Sequence, residues 1–217
     1  MVRESFNDDI KDLKKDVLFM IDKVENLIKT SMQALLYKDI DKARSIAKLD
    51  DEIDNCMYEI EEKAINLIAL QQPMARDLRF IFSVTHMITD LERVGDFCVN
   101  IAREAIAIGD EDFIKPLIDI PKMRDIILDM IKDIKMSLEL EDADIALSTG
   151  KKDKLVDEIY INMYNDILDM IHSNKKYTQQ ATRLLFIGRF LERIGDHLTN
   201  VCEMVIYISK GERVEIN

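Results

Sequence analysis

Two pairs of carboxylates occupy the same six-residue motif, which occurs twice in the chain, one hundred positions apart. The motif reads LERVGD around Glu92 and Asp96, and LERIGD around Glu192 and Asp196. Residues four positions apart lie on one face of an α-helix, one turn above the other. Clustered carboxylate oxygens suit hard cations such as Mg²⁺, Mn²⁺ or iron. The repeated motif therefore predicts a metal site in each half of the chain.

A glycine precedes the aspartate in both copies, at Gly95 and Gly195. Glycine inside a helix costs about 1 kcal/mol relative to alanine, and the chain bears this cost twice. Gly95 falls on the apolar side of Glu92 and Asp96, so we expect it to let a neighbouring helix approach closely.

A second set of acidic pairs lies upstream of each motif. Asp50 and Asp54 stand four apart in DDEID, and Asp153 and Asp157 do so in DKLVD, at an offset of 103 positions rather than 100. The apolar residues around these pairs keep the same helical register, and each set lies beside an apolar stripe. Four carboxylates brought together by helix packing would need a cation to offset repulsion and desolvation. We therefore expect two helices to supply each site.

The high acidic content leaves an alternative open for any single pair. A chain with 42 acidic residues contains many such pairs by chance, and most of them face solvent. The DxxxD pairs alone are weak indicators of metal, whereas the repeated motif with its glycine favours it. Arg93 and Arg193, within the motifs, are expected either to form salt bridges with these acids across helices or to contact a partner.

The apolar residues recur at threes and fours throughout, which predicts an all-α chain without a sheet. Few glycines and prolines, six and three, favour long helices with short connections. Six helices are expected, at about Ser5–Leu36, Asp41–Leu70, Met74–Ile108, Pro121–Leu138, Asp142–Ile171 and Tyr177–Ser209. A break at Tyr37–Asp41 precedes the second helix, and the fifth is expected to bend near Ser148–Gly150.

The order of the elements predicts two tandem three-helix bundles related by an internal repeat. The best boundary is Gly109–Pro116, where Gly109 is expected to cap the third helix and an acidic cluster follows. We therefore assign residues 1–110 to the first three-helix unit and residues 111–217 to the second.

Composition restricts the class of protein. The formal net charge of −12 argues against a nucleic-acid partner, which requires clustered Lys and Arg. The charged N-terminal stretch and the absence of a long apolar run predict neither a secretion signal nor a membrane span, hence a cytoplasmic chain. Cys56, Cys98 and Cys202 form no CxxC pair and are expected to be reduced core residues.

Three stretches together resemble the PhoU family of phosphate-uptake regulators: QQPMARDLRFI at 71–81, DLERVGD at 90–96 and FLERIGDHLTNVCEMVIY at 190–207. The resemblance covers nearly the whole chain. It implies two three-helix repeats with (E/D)xxxD metal motifs and a cytoplasmic, non-enzymatic regulator of phosphate import and of phosphate-starvation signalling. It also implies a homodimer, with a phosphate ABC transporter ATPase and a phosphate-sensor histidine kinase as partners.

The same resemblance implies divalent or trivalent metal ions, among iron, Mn, Mg and Zn, on the acidic motifs. Asn100 and Asn200 are expected to support the ligands. Glu61 in the first repeat is equivalent to Tyr164 in the second, so the two sites are expected to differ in their number of ligands. Carried over position by position, the implied metal ligands are Glu92, Asp96, Glu192, Asp196, Asp50, Asp54, Asp153 and Asp157.

Two other functions remain as alternatives. One is a metal-free helical scaffold or adaptor. The other is a carboxylate-bridged di-metal enzyme, whose sites draw on Glu-x-x-His pairs. His86, His172 and His197 have no glutamate three residues earlier, so each is expected to be an ordinary surface or helix-flank residue. No phosphate-binding glycine loop or G-x-S-x-G sequence is present either.

Overall fold

The computed structural model describes residues 2–216, and within them the chain is helical with no strand. The all-α prediction is therefore confirmed. The helices are α1 Val2–Leu36, α2 Ile40–Gln71, α3 Ala75–Ile108, α4 Asp119–Leu140, α5 Ala143–Gly150, α6 Asp153–Ser173 and α7 Thr178–Lys210, with a 3₁₀ turn at Lys175–Tyr177.

Two three-helix units are present, as predicted. The first is α1–α3; the second is α4, the α5–α6 pair and α7. The predicted fifth helix is interrupted just after the expected bend. The amide of Lys152 donates to the carbonyl of Thr149 at 2.9 Å, a tighter turn than an α-helix makes. The Lys152 ammonium reaches Asp133 of α4 at 2.7 Å, so this turn is tied to the neighbouring helix.

The helix ends differ from the predicted ones by a few residues. α1 begins at Val2 rather than Ser5, and α4 begins at Asp119 rather than Pro121. The latter places Pro121 in the first turn, where its missing amide hydrogen is not needed. Gly109 ends α3 with a φ of +63°, which confirms it as the cap.

The buried apolar side chains form one core that runs through both units. α3 and α7, the third helices of the two units, make the most extensive helix–helix contact. Leu91, Val94, Leu191 and Ile194, all within the repeated motifs, are fully buried. The motifs thus lie at the centre of the molecule. Among the described helices, none combines the length and apolarity that a bilayer crossing requires.

Side-chain contacts across α3 and α7 define their register. They join Asp90 to His197, Phe97 to Phe190, and Glu104 to Arg183. Each contact lies one heptad farther along α3 and one heptad back along α7, so the two helices are antiparallel. An approximate twofold axis therefore passes between the two copies of the motif.

Candidate metal-binding sites

In the first unit, α2 and α3 approach closely at Gly95. A Cβ atom added to Gly95 would overlap the Oδ1 atom of Asp50 and lie 3.6 Å from the Ile53 side chain. Any larger residue at this position would displace the Asp50 carboxylate. The expectation that Gly95 admits the neighbouring helix is confirmed.

The second unit repeats this contact. A Cβ atom on Gly195 would overlap Oδ1 of Asp153 and lie 3.8 Å from the Val156 side chain. Asp153 is fully buried. Asp50 and Asp153 therefore occupy equivalent places, and the offset of 103 positions between α2 and α6 is confirmed. The roles of these acids as metal ligands stay predictions.

In the first unit, burial and mutual repulsion disfavour the ionised forms of three carboxyl groups in the predicted site. Burial raises the pKa of Asp50 to about 7, and the nearby carboxylates of Asp54, Asp96 and Glu92 contribute to this rise. Burial and Asp96 also raise the pKa values of Asp54 and Glu92. The Oδ1 atom of Asp50 is buried and accepts no hydrogen bond from the described residues. The carboxylates thus lie close enough to repel one another, with at least one oxygen unsatisfied.

The pKa values of carboxyl groups in the second unit are raised in the same way, but one more arginine lies nearby. Burial, followed by the carboxylate of Asp196, raises the pKa values of Asp157 and Glu192. Arg189 opposes both rises and donates a hydrogen bond to Glu192. The equivalent position in the first unit is Thr89. The second site is therefore less negative than the first.

The motif arginines pair within their own helices, not across helices as expected. Arg93 lies 3.0 Å from Asp96 and 3.5 Å from Glu92. Arg193 lies 2.8 Å from Asp196 and 3.6 Å from Glu192. Each arginine spans the i, i+4 carboxylate pair and offsets part of its repulsion.

The chemistry of these residues fits a hard cation. Each site draws only carboxylate donors from two helices, and Asp50 presents a buried oxygen without a hydrogen-bond donor. However, over residues 2–216 no three His, Cys, Asp or Glu side chains converge tightly enough to ligate one ion. Arg93 and Arg193 form salt bridges with Asp96 and Asp196. To bind a cation, these two aspartates would have to leave the arginines and turn toward the neighbouring helix.

One contact near the motifs was not anticipated from the sequence. Asp90 Oδ1 lies 2.8 Å from His197 Nδ1 and accepts a hydrogen bond from Asn200 at 2.9 Å. Asn200 therefore contacts Asp90, and Asn100 accepts a hydrogen bond from Arg103. Neither contact is to a predicted ligand, and the role of both asparagines beside a bound metal stays a prediction. The signal was that the two repeats differ in polarity at these positions, Asp90 against Phe190 and Phe97 against His197.

The remaining histidines and the cysteines behave largely as expected. His86 and His172 are exposed, while His197 is half-buried with a specific partner. Cys98 and Cys202 are buried free thiols whose pKa values burial raises, to about 12 for Cys98. Cys56 is also free but only half-buried, so it belongs to the edge of the core.

Comparison with known proteins assigns the family. The PhoU domain model matches residues 17–105 and 120–205, one segment in each unit. The chain belongs to the PhoU family. A PhoU homologue from Clostridium acetobutylicum, a phosphate-specific transport system accessory protein, is 38% identical over the full length of both chains. One from Aquifex aeolicus, of the same name, is 35% identical over 95% of this chain and 94% of its own.

Solved PhoU structures share the fold. The crystal structure of PhoU from Pseudomonas aeruginosa superposes with a TM-score of 0.92 at 29% identity, covering 95% of this chain and all of that one. The phosphate transport system regulatory protein PhoU from Streptococcus pneumoniae gives 0.89 at 28% identity, covering 97% and 99%. The PhoU fold therefore extends over nearly the whole molecule.

Proposed function

We propose that this protein is a non-enzymatic regulator of inorganic phosphate uptake, acting as an accessory protein of a phosphate-specific transport system. The observation that carries the proposal is the PhoU match in both units, together with full-length relatives that bear this name. The antiparallel α3–α7 pair, which holds both motifs at the centre of one core, supports a single regulatory body rather than two independent modules.

The proposed partners are a phosphate ABC transporter ATPase and a phosphate-sensor histidine kinase, between which the protein serves as a cytoplasmic adaptor, as a homodimer. The formal net charge of −12 for the chain disfavours direct binding to anionic lipid without bridging cations. The adaptor therefore reaches the membrane through its protein partners.

Cells that lack the chain provide the test of this role. We expect phosphate uptake to escape restraint in phosphate-rich medium when the chain is deleted, and the full chain supplied in trans to restore restraint. Binding of the purified chain to the ATPase and to the kinase supplies the second measurement. Unaltered uptake in the deletion strain, with no binding to either protein, would contradict the proposal.

Metal binding is the second part of the proposal. Each site offers two carboxylates from each of two helices: Asp50 and Asp54 with Glu92 and Asp96 in the first unit, and Asp153 and Asp157 with Glu192 and Asp196 in the second. A bound cation supplies positive charge that offsets the repulsion responsible for the raised pKa values. Iron, Mn, Mg and Zn are all compatible with carboxylate ligands.

Elemental analysis of protein purified without chelator tests the sites. We expect the variants Glu92→Gln/Asp96→Asn and Glu192→Gln/Asp196→Asn each to lose part of the bound metal. The matched control is Asp8→Asn/Asp12→Asn, which changes two exposed acids at the same spacing on α1. The same metal content in all four proteins would remove the assignment.

A metal-free adaptor is the alternative, and the arginine contacts favour it. Arg93 and Arg193 already engage the outer carboxylates of both sites. This alternative predicts that chelator leaves the melting temperature unchanged, whereas a site occupied in the folded state alone raises it when metal is restored.

A further inference from the structure

An open apolar groove lies at one end of the first unit, away from the acidic motifs. It runs between the end of α2, the first turns of α3, and the end of α7 with the segment that follows, and has a volume of about 530 Å³. Ile68, Leu78, Phe82 and Tyr207 line its walls. The groove is therefore shaped by both third helices and is large enough to accept several side chains.

Two arginines in this groove have no acidic partner among the described residues. The guanidinium of Arg79 packs against Gly211, where a Cβ atom would lie 3.2 Å from its Cζ, and its Nε is buried without a hydrogen bond. Arg213 lies over the rings of Phe82 and Tyr207, 5.6 Å from each centroid. Within the described part of the chain no carboxylate ion-pairs with either.

These arginines differ from most others in the chain. Acidic residues outnumber basic ones, 42 to 30, and most of the other described arginines form salt bridges. Arg76, one turn before Arg79, lies 3.1 Å from Glu141, and Arg183 lies 2.9 Å from Glu104. Two unpaired guanidinium groups in one groove of an acidic protein indicate a binding site for a negatively charged group.

The walls of the groove also expose apolar surface. Ile68 and Leu78 are each 44% exposed, and Phe82 is 38% exposed. Leu78 and Phe82 stand one helical turn apart on the same face of α3. A small oxyanion would satisfy the arginines but would leave these side chains in water. An exposed apolar patch beside polar groups is typical of a protein-binding surface.

We propose that this groove docks a segment of a partner protein that carries apolar anchor side chains and at least one carboxylate. The apolar anchors bury Ile68, Leu78 and Phe82, and the carboxylate accepts hydrogen bonds from Arg79 and Arg213, whose guanidinium groups favour this forked geometry. The inference deepens the proposed adaptor role and rests on it for the existence of a partner. It places the contact with the partner protein in this groove and not at the acidic motifs.

Selection from a displayed library of random peptides against the full chain tests the groove. We expect the enriched peptides to combine aromatic or aliphatic residues with Asp or Glu. Their affinity, measured by fluorescence anisotropy of the synthetic peptides, should fall roughly tenfold for Arg79→Gln and roughly tenfold for Arg213→Gln, since each variant removes a charge-assisted hydrogen bond to the peptide carboxylate. It should also fall with added salt.

Matched variants show whether binding depends on the groove residues themselves or only on the charge and apolar surface of the protein as a whole. Arg44→Gln removes one exposed positive charge on α2 and should leave affinity unchanged. Leu78→Gln should weaken binding, whereas Leu155→Gln, at a position that is 50% exposed on α6, should not. Circular dichroism spectra that match the parent protein establish that each variant is folded.

Several outcomes would overturn the inference. These are no enrichment, enrichment of basic peptides, or equal affinity for the parent protein and the groove variants. A change in sedimentation of Arg79→Gln/Arg213→Gln would instead assign the groove to a second copy of the chain. Competition by inorganic phosphate alone would assign it to a small oxyanion. The selection uses neither transporter, kinase nor metal, so its failure is distinguishable from failure of the proposed function.

Discussion

Asp90 Oδ1 and His197 Nδ1 lie 2.8 Å apart at the contact between α3 and α7. The approximate twofold axis relates this polar contact to the stacked rings of Phe97 and Phe190, whose centroids are 6.0 Å apart. Two equivalent positions in the α3–α7 contact are therefore filled by different kinds of side-chain pair. One uses a hydrogen bond and the other an aromatic pair, and these contacts flank the two antiparallel motifs.

This relationship predicts coupling between Asp90 and His197. Asp90→Phe or His197→Phe alone leaves a polar group facing an aromatic ring, whereas the double variant recreates the pair found at Phe97 and Phe190. We expect the double variant to be more stable than the sum of the single effects by about 0.5–1.5 kcal/mol, the range for aromatic pairs. Urea unfolding of the four proteins measures the coupling, and strictly additive effects would contradict it.

The close approach at Gly95 predicts a change of sign in a second mutant cycle. Gly95→Ala overlaps the Asp50 carboxylate, so we expect it to destabilise the protein by about 1–3 kcal/mol, as for overpacking. In an Asp50→Ala background the overlap is absent, and the same change should stabilise the helix by about 1 kcal/mol. Urea unfolding gives both values.

Gly195→Ala with Asp153→Ala provides the equivalent cycle in the second unit. The same reversal is expected there, because the overlap is the same. A stabilising Gly95→Ala in the parent background would show that the helices do not approach as closely as the structure indicates.

The raised pKa of Asp50 predicts a pH dependence of stability. The folded chain holds this proton up to about pH 7, whereas the free side chain releases it near 3.8. Between these values the folded state binds more protons than the unfolded state, so stability falls as the pH rises. The contribution is fully present below pH 3.8 and is lost above about 7.

Asp50→Asn removes the titration. In chelator-treated protein, the free energy of unfolding of this variant relative to the parent should increase steadily across that window. Chemical denaturation at several pH values supplies the measurement, with Asp51→Asn, an exposed neighbour, as the control. A difference that stays constant with pH would refute the assignment of the shift to Asp50.

The extra arginine of the second unit predicts unequal metal affinities. Arg189 hydrogen-bonds Glu192, while Thr89 occupies the equivalent place beside the first site. We expect the first site to bind Mn²⁺ more tightly, and Arg189→Thr to tighten the second site by about tenfold, since one nearby charge is worth about 1–2 kcal/mol at a partly exposed position. Calorimetric titration with Mn²⁺ measures both sites.

Arg124→Thr is the control for this comparison, because Arg124 pairs with Asp125 on α4. It should leave both affinities unchanged. Two sites of equal affinity in the parent protein, unaltered by Arg189→Thr, would show that Arg189 does not influence the metal.

Much of the fold was predictable because helices are local structures. Apolar residues at threes and fours place buried side chains such as Leu91 and Leu191 on one face, whatever the helix packs against. The interruption at Lys152 was less predictable, since it depends on a contact with Asp133 from another helix. Helix ends also varied by a few residues, as capping by nearby side chains decides them.

The sequence by itself determined that one carboxylate pair lies beside the apolar stripe of each of four helices and that a glycine lets two of these helices approach their neighbours closely, because helical spacing and residue size are properties of the chain. Only the tertiary structure decided which charges meet. It joined Asp90 to His197 and, among the described residues, left Arg79 and Arg213 without an acidic partner. The Asp90–His197 contact depends on the register of α3 against α7, which arises from packing across the whole core.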